Sequence, residues 1–267
     1  MRDIKGFNKQ DMGNGVWRIS EGNPEAGISN FVDAYLVCGQ TRAVLVDTLM
    51  GEGNLYDIIR EITALPVDVI MTHGHGDHAG RELKNLADKG LSLFMKPVDY
   101  EVYTNMSFEP VSRESFQDVS HGQVFDLGGR HLEIIEVPGH TPGSIVVLDR
   151  GNQLMFSGDS IGSGTIWMQL AHSLPLEQFL DVLRRLEREV EDLNDLVIYP
   201  GHFYQMRERL RKQYISEMRE LTENLVSGKT KGVPIEDEET TVRFPNALQA
   251  SLGAMYSYCY DPDNIFK

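Results

Sequence analysis

Thr72-His73-Gly74-His75-Gly76-Asp77-His78-Ala79-Gly80 places four metal-competent side chains within six residues, with only glycine between them. Neutral imidazole and carboxylate are donors that suit zinc, iron or manganese, and the stretch holds no thiolate. His73 and His75 are two apart, so they cannot share a helix face, where neighbours lie three or four residues apart. A loop at a strand end can turn both towards one ion, because Gly74 and Gly76 permit an irregular backbone. Asp77 and His78 are then left over and can hold a second ion beside the first. A solvated loop capping a helix is the competing explanation. Three histidines on alternate small residues make it the poorer one, and the stretch is read as a metal site.

Working outward, Val67–Met71 reads as a short buried strand that delivers this loop, and Ala79–Ala87 as the helix that follows. Strand, loop and helix in that order place the ligands at the carboxyl end of a strand, where open sheets carry their sites. The same arrangement recurs along the chain. Ala43–Val46 runs into Asp47-Thr48, and His131–Val137 into Pro138-Gly139-His140-Thr141-Pro142-Gly143. Leu154–Phe156 leads to Ser157-Gly158-Asp159-Ser160, and Leu196–Tyr199 to Pro200-Gly201-His202. One turn Asp or His is usually a satisfied polar residue. Repeated strand ends offering metal donors imply that scattered residues meet at one edge of a sheet.

Further strands are expected at Val16–Ser20, Phe31–Val37 and Ser144–Leu148 by their β-rich composition. The Gly, Asn and Pro content of Glu21–Asn30 marks a loop between the first two. Apolar periodicity predicts helices over Leu55–Ile62, Leu176–Val190 and Met206–Leu225, the last stopped by Gly228. Arg207, Arg209, Arg211 and Lys212 on that last helix are read as a solvated face balanced by Glu208, Glu217 and Glu220. The expected division is a catalytic domain over 1–228 and an extension over 229–267. That extension is acidic at Glu236–Glu239 and aromatic at Tyr256, Tyr258 and Tyr260, suited to packing, covering the site or joining subunits of a homo-oligomer.

Composition narrows the function classes. The chain has 267 residues, 41% hydrophobic and 24% charged, close to globular norms. A formal net charge of -15 argues against a nucleic-acid partner, which needs a cationic surface. Cys38 and Cys259 are too few for a disulfide framework and form no metal-type pair. Met1-Arg2-Asp3-Ile4-Lys5 lacks the apolar run of a signal peptide, and no segment has the length to span a bilayer. A cytoplasmic protein without a membrane partner is the expectation.

Asp47, the His73–His78 run, His140, Asp159 and His202 together resemble the five ordered motifs of the metallo-β-lactamase superfamily. The resemblance implies an α/β fold, a four-layer αββα sandwich with two mixed sheets face to face and helices outside. It also implies that His73, His75 and His140 bind a first metal, that Asp77, His78 and His202 bind a second, and that Asp159 bridges them. Asp47 would then steady the ligand loop from behind. Two divalent ions, zinc first with iron or manganese as alternatives, would lower the pKa of a shared water from ~15.7 towards ~7. Asp77, beside the nucleophile, can orient it or shuttle its proton.

The carboxylate at Asp159 is similar to the pattern of glyoxalase II, lactonases and phosphodiesterases of the superfamily. The short interval between Asp159 and His202 leaves no room for the inserted domain of its nucleic-acid-processing branch. A small ester, thioester or lactone is the expected substrate. Small-molecule phosphodiesterase and β-lactamase-type hydrolysis are alternatives. A further one is a persulfide dioxygenase, which carries a similar His-x-His-x-Asp-His run and Gly-His-Thr-Pro-Gly motif but uses one iron and oxygen. Trp167, Met168 and His172, with Ile166, form a largely apolar group expected to contact the substrate.

Overall fold

A computed structural model describes residues 6–21, 32–51, 53–107, 109–206, 209–252 and 256–266. Positions 22–30 of the expected Glu21–Asn30 loop, Phe31 of the expected strand, and Arg207 and Glu208 of the charged cluster lie outside them. The first sheet runs in chain order through β1 (Phe7–Gly13), β2 (Val16–Glu21), β3 (Asp33–Cys38), β4 (Ala43–Val46), β5 (Val67–Ile70), β6 (Ser92–Met95) and β7 (Phe116–Asp118). β1 to β4 are antiparallel, and β4 to β7 are parallel, with α1 (Leu55–Ile62), α2 (Glu82–Asp88) and α3 (Tyr100–Met106) in the crossovers. Parallel neighbours need such crossovers, because a tight hairpin cannot reverse the chain twice.

The chain continues with β8 (Val124–Asp126), β9 (His131–Glu136), β10 (Ile145–Asp149), β11 (Leu154–Gly158), β12 (Thr165–Met168), β13 (Val197–Pro200) and β14 (Leu210–Arg211). All but β12 make the second sheet, in the order β14-β13-β11-β10-β9-β8. Between the sheets lie Val37, Val44 and Ile70 from one and Ile134, Val147 and Phe156 from the other, all 0% exposed. The outer face of the first sheet packs on α1 to α3. The outer face of the second packs on α4 (Leu176–Glu189) and a helix near the C-terminus. The result is the expected four-layer αββα sandwich.

Two local expectations are corrected. The Met206–Leu225 periodicity is not one helix: it divides into α5 (Phe203–Met206), strand β14 and α6 (Gln213–Val226). Leu210 and Arg211 pair with Ile198 and Val197 instead, so tertiary pairing overrides the helical period there. The helix after the histidine loop begins at Glu82 rather than Ala79. Residues 79–81 still belong to the loop, where Ala79 N–H donates to the His75 carbonyl at 2.8 Å.

A third sheet joins β12 to the C-terminal segment. Its order is β12-β17-β16-β15, with β15 (Val233–Pro234), β16 (Leu248–Leu252) and β17 (Tyr256–Tyr260). Trp167 on β12 is in register with Cys259 on β17. Short helix α7 (Glu238–Arg243), capped by the Asp237 side chain on Thr240 N–H, connects β15 to β16. No helix of the described residues is long and apolar enough to cross a membrane.

Candidate metal centre

The candidate ligands lie in loops that follow strands, and His73, His75, His78 and His140 are each held from behind by their outer nitrogen. Thr72 Oγ1 lies 3.0 Å from His73 Nδ1, and the Trp167 carbonyl 2.8 Å from His140 Nδ1. The inner nitrogens converge: His75 Nδ1 is 3.1 Å from His73 Nε2 and 2.9 Å from His140 Nε2. Burial, reinforced by neighbouring imidazoles, holds His73 and His75 well below the usual histidine range, so both are neutral. Three buried neutral imidazoles aimed at one another are a donor set for a cation.

The second group is Asp77, His78, Asp159 and His202. His78 Nε2 is 3.1 Å from Asp159 Oδ1 and 3.9 Å from Asp77 Oδ2. His202 Nε2 is 3.4 Å from Asp159 Oδ2 and 3.5 Å from Asp77 Oδ2. Asp159 Oδ2 also comes within 3.7 Å of His140 Nε2, so one carboxylate faces both groups. Burial alone would lower the histidines here, but the carboxylates outweigh it. His78 rises well above its usual range and His202 to about 10. Burial likewise opposes ionisation of Asp77 and Asp159, yet the facing histidines hold both carboxyls below their usual value.

His78 Nε2 tests whether a metal fits. It is buried and makes no hydrogen bond, despite the nearby Asp159 oxygen. A buried polar atom so placed calls for a partner, and a cation between imidazole and carboxylate is one that both can share. Both groups fit divalent ions by donor type. Gly201 completes the fit, since a Cβ there would lie 2.3 Å from His78 Cε1 and 2.7 Å from Asp159 Oδ1.

A sequence model of the metallo-beta-lactamase superfamily matches residues 29–202, the interval that carries all these donors. The chain belongs to that superfamily. Among curated relatives, acyl-coenzyme A thioesterase MBLAC2 of Gallus gallus is 27% identical over 250 residues, covering 81% of this chain and 89% of the relative. An atrochrysone carboxyl ACP thioesterase of Claviceps purpurea is 30% identical over 155 residues, covering 56% and 46%. A metallo-beta-lactamase structure from Pontibacter korlensis superposes with a TM-score of 0.66 at 18% identity, covering 82% of this chain and 99% of that one. At that identity the likeness concerns the fold.

Asp47 stands behind the His73–His78 loop. It adopts a left-handed backbone (φ 64°), a region Asp tolerates better than most residues. Its Oδ1 accepts from Thr72 N–H at 2.7 Å and its Oδ2 lies 2.8 Å from His78 Nδ1. The three expected substrate contacts separate. Trp167 lines a cavity of about 390 Å³ in front of the donors, together with Val32, Met50, Met106 and Leu170. Met168, on the opposite face of β12, is 1% exposed and packs in the core with Ile166. His172 instead reaches His75, Nε2 to Nε2 at 2.7 Å, and occupies that ligand's outer nitrogen.

Two supports carry no signal in the strand-end pattern. Asp99, 0% exposed, ties the two ligand loops together. It accepts from Gly74 N–H at 2.8 Å, Gly143 N–H at 2.6 Å and the Thr141 hydroxyl at 2.6 Å. Asp33 accepts from Phe203 N–H at 2.8 Å while its own N–H donates to the Gly201 carbonyl at 2.7 Å, which fixes the His202 turn. The Arg18 guanidinium stacks on Phe203 at 4.7 Å and lies 3.5 Å from Asp33. Asp99 follows Lys96-Pro97-Val98 beyond β6, a strand too short to stand out, and Asp33, the first residue of β3, falls within the longer run Phe31–Val37 that reads as strand, where no turn announces it.

Proposed function

We propose that this chain is a dinuclear metal-dependent hydrolase of acyl thioesters. The observation that carries the reading is Asp159, a single carboxylate facing both donor groups at the floor of an apolar-walled cavity. The thioesterase names of its relatives direct the choice among ester, thioester and lactone. Divalent ions, zinc best by donor set, supply Lewis acidity and a water of lowered pKa when bound.

The chain's residues account for the rest of the reaction. His73, His75 and His140 would hold one ion, Asp77, His78 and His202 the other, with Asp159 shared. Asp77 lines the cavity and is kept ionised, so its carboxylate can orient the attacking water and accept its proton. Val32, Met50, Met106 and Leu170 offer the acyl chain an apolar wall that excludes bulk water. Water adds to the acyl carbon, the C–S bond breaks, and the products are a carboxylic acid and a thiol. A thiol of pKa about 8.5 leaves as thiolate without a dedicated proton donor.

Residues 229–267 belong to this catalytic unit in our reading, because β17 pairs with the strand that carries Trp167. The test is thiol release from a series of acyl-coenzyme A thioesters by metal-loaded protein. Saturable release that prefers thioesters over matched oxygen esters and lactones supports the reading. Preference for a lactone or phosphodiester would replace it.

A further inference from the structure

Arg243, the last residue of α7, lines the same cavity as the metal donors. Among the described residues it is the one lysine or arginine that does so. Its guanidinium carbon lies 5.2 Å from the Phe244 ring centroid, and Phe244 meets Trp167 edge-on at 6.0 Å. The exposed cation is therefore braced on an aromatic pair whose Trp167 lines the cavity, its N–H edges open to water or to an anion. Among the described residues no carboxylate lies within ion-pair distance of it. A cation at a helix C-terminus has a simpler explanation, since it suits the helix dipole. That explanation does not account for its place in the cavity wall, in a chain of net charge -15 whose site otherwise presents Asp77 and Asp159.

We propose that Arg243 determines specificity by binding an anionic group of the substrate, a carboxylate or a phosphate, where the C-terminal segment brings it to the cavity wall. This rests on the thioester reading and adds that the substrate has two ends: an acyl carbon at the metals and an anion at Arg243. The anion has two sources. It is either a carboxylate on the acyl chain or a phosphate on the thiol carrier. The planar fork of arginine pairs with both in the same bidentate way.

Three thioesters of equal acyl length separate the sources. One is a neutral N-acetylcysteamine thioester, the second its ω-carboxylate counterpart, the third the coenzyme A thioester. Metal-loaded wild type, Arg243→Met and Arg243→Lys are compared by kcat/KM, with metal content and circular dichroism measured on each. In Arg243→Met the ratio of one anionic substrate to the neutral one should fall about tenfold, through KM, the size of one lost charge-assisted hydrogen bond. Arg243→Lys should recover part of the loss. A fall confined to the carboxylate substrate places the anion on the acyl chain, and one confined to coenzyme A places it on the carrier. Equal losses on all three, or none, overturn the proposal while the thioester reading stands. If wild type cleaves none of the three, the thioester reading falls and the proposal with it.

Discussion

Removing the carboxylate of Asp99 should loosen both halves of the first donor group at once. In Asp99→Ala the Gly74 and Gly143 N–H groups lose their acceptor inside the protein, whereas the Thr141 hydroxyl keeps Ser144 Oγ at 2.8 Å. Two orphaned buried donors cost about 1–3 kcal/mol each, so about 2–6 kcal/mol in all. That is a large share of the roughly 5–15 kcal/mol that holds a domain together. Side chains at the two glycines cannot refill the space, since a Cβ at Gly74 would sit 2.6 Å from the Asp99 carbonyl oxygen and one at Gly143 2.8 Å from the Asp99 Cβ, both atoms that the Ala variant keeps. Asp99→Asn keeps the volume and one acceptor oxygen, and should lose about half as much. Urea unfolding of chelator-treated protein measures the stability, and competition with a chromophoric chelator measures metal affinity. The expected order for both is wild type, then Asn, then Ala. A loss below about 1 kcal/mol in the Ala variant, with metal affinity intact, would refute the role of Asp99 as the tie between the loops.

Asp159→Ala should abolish most turnover and lower bound metal by one ion per chain, read by elemental analysis; full activity would remove the shared carboxylate from the account. His172→Ala should weaken metal binding about 10–100-fold by freeing the outer nitrogen of His75, with Asn at the same position recovering part of it. An unchanged dissociation constant would make His172 a bystander. Burial, only partly offset by Arg18, raises Asp33 to about 6 from an ordinary 3.8. Its folded pKa is the higher one, so the stability it contributes is full below the unfolded value and is lost as pH rises through about 6. Asp33→Asn should flatten the stability profile between roughly pH 4 and 6, measured by denaturant midpoint against pH. An unchanged slope would contradict the shift.

The candidate ligands are legible because each follows an apolar strand with a small residue beside it, a pattern local enough to read residue by residue. What surrounds them was not, because it depends on contacts remote in sequence. His172 meets His75 across 97 residues of sequence, and no local period announces the pair. The third sheet was invisible for the same reason: Thr165–Met168 is too short to read as a strand until Tyr256–Tyr260 lies beside it. Leu210 and Arg211 show the reverse case, a convincing helical stripe broken by pairing with Val197 and Ile198. Within β12, alternation is visible only once its register is known, so the sequence groups Trp167 with Met168 although they face opposite ways.

Metal titration of the stripped protein, followed simultaneously by thioester turnover and oxygen uptake, bears most directly on the dinuclear hydrolytic reading. The account predicts that thiol release climbs to its maximum at two divalent ions per chain, zinc among the effective ones, with no oxygen consumed. Saturation at a single iron, with oxygen uptake and no gain from a second ion, would contradict it.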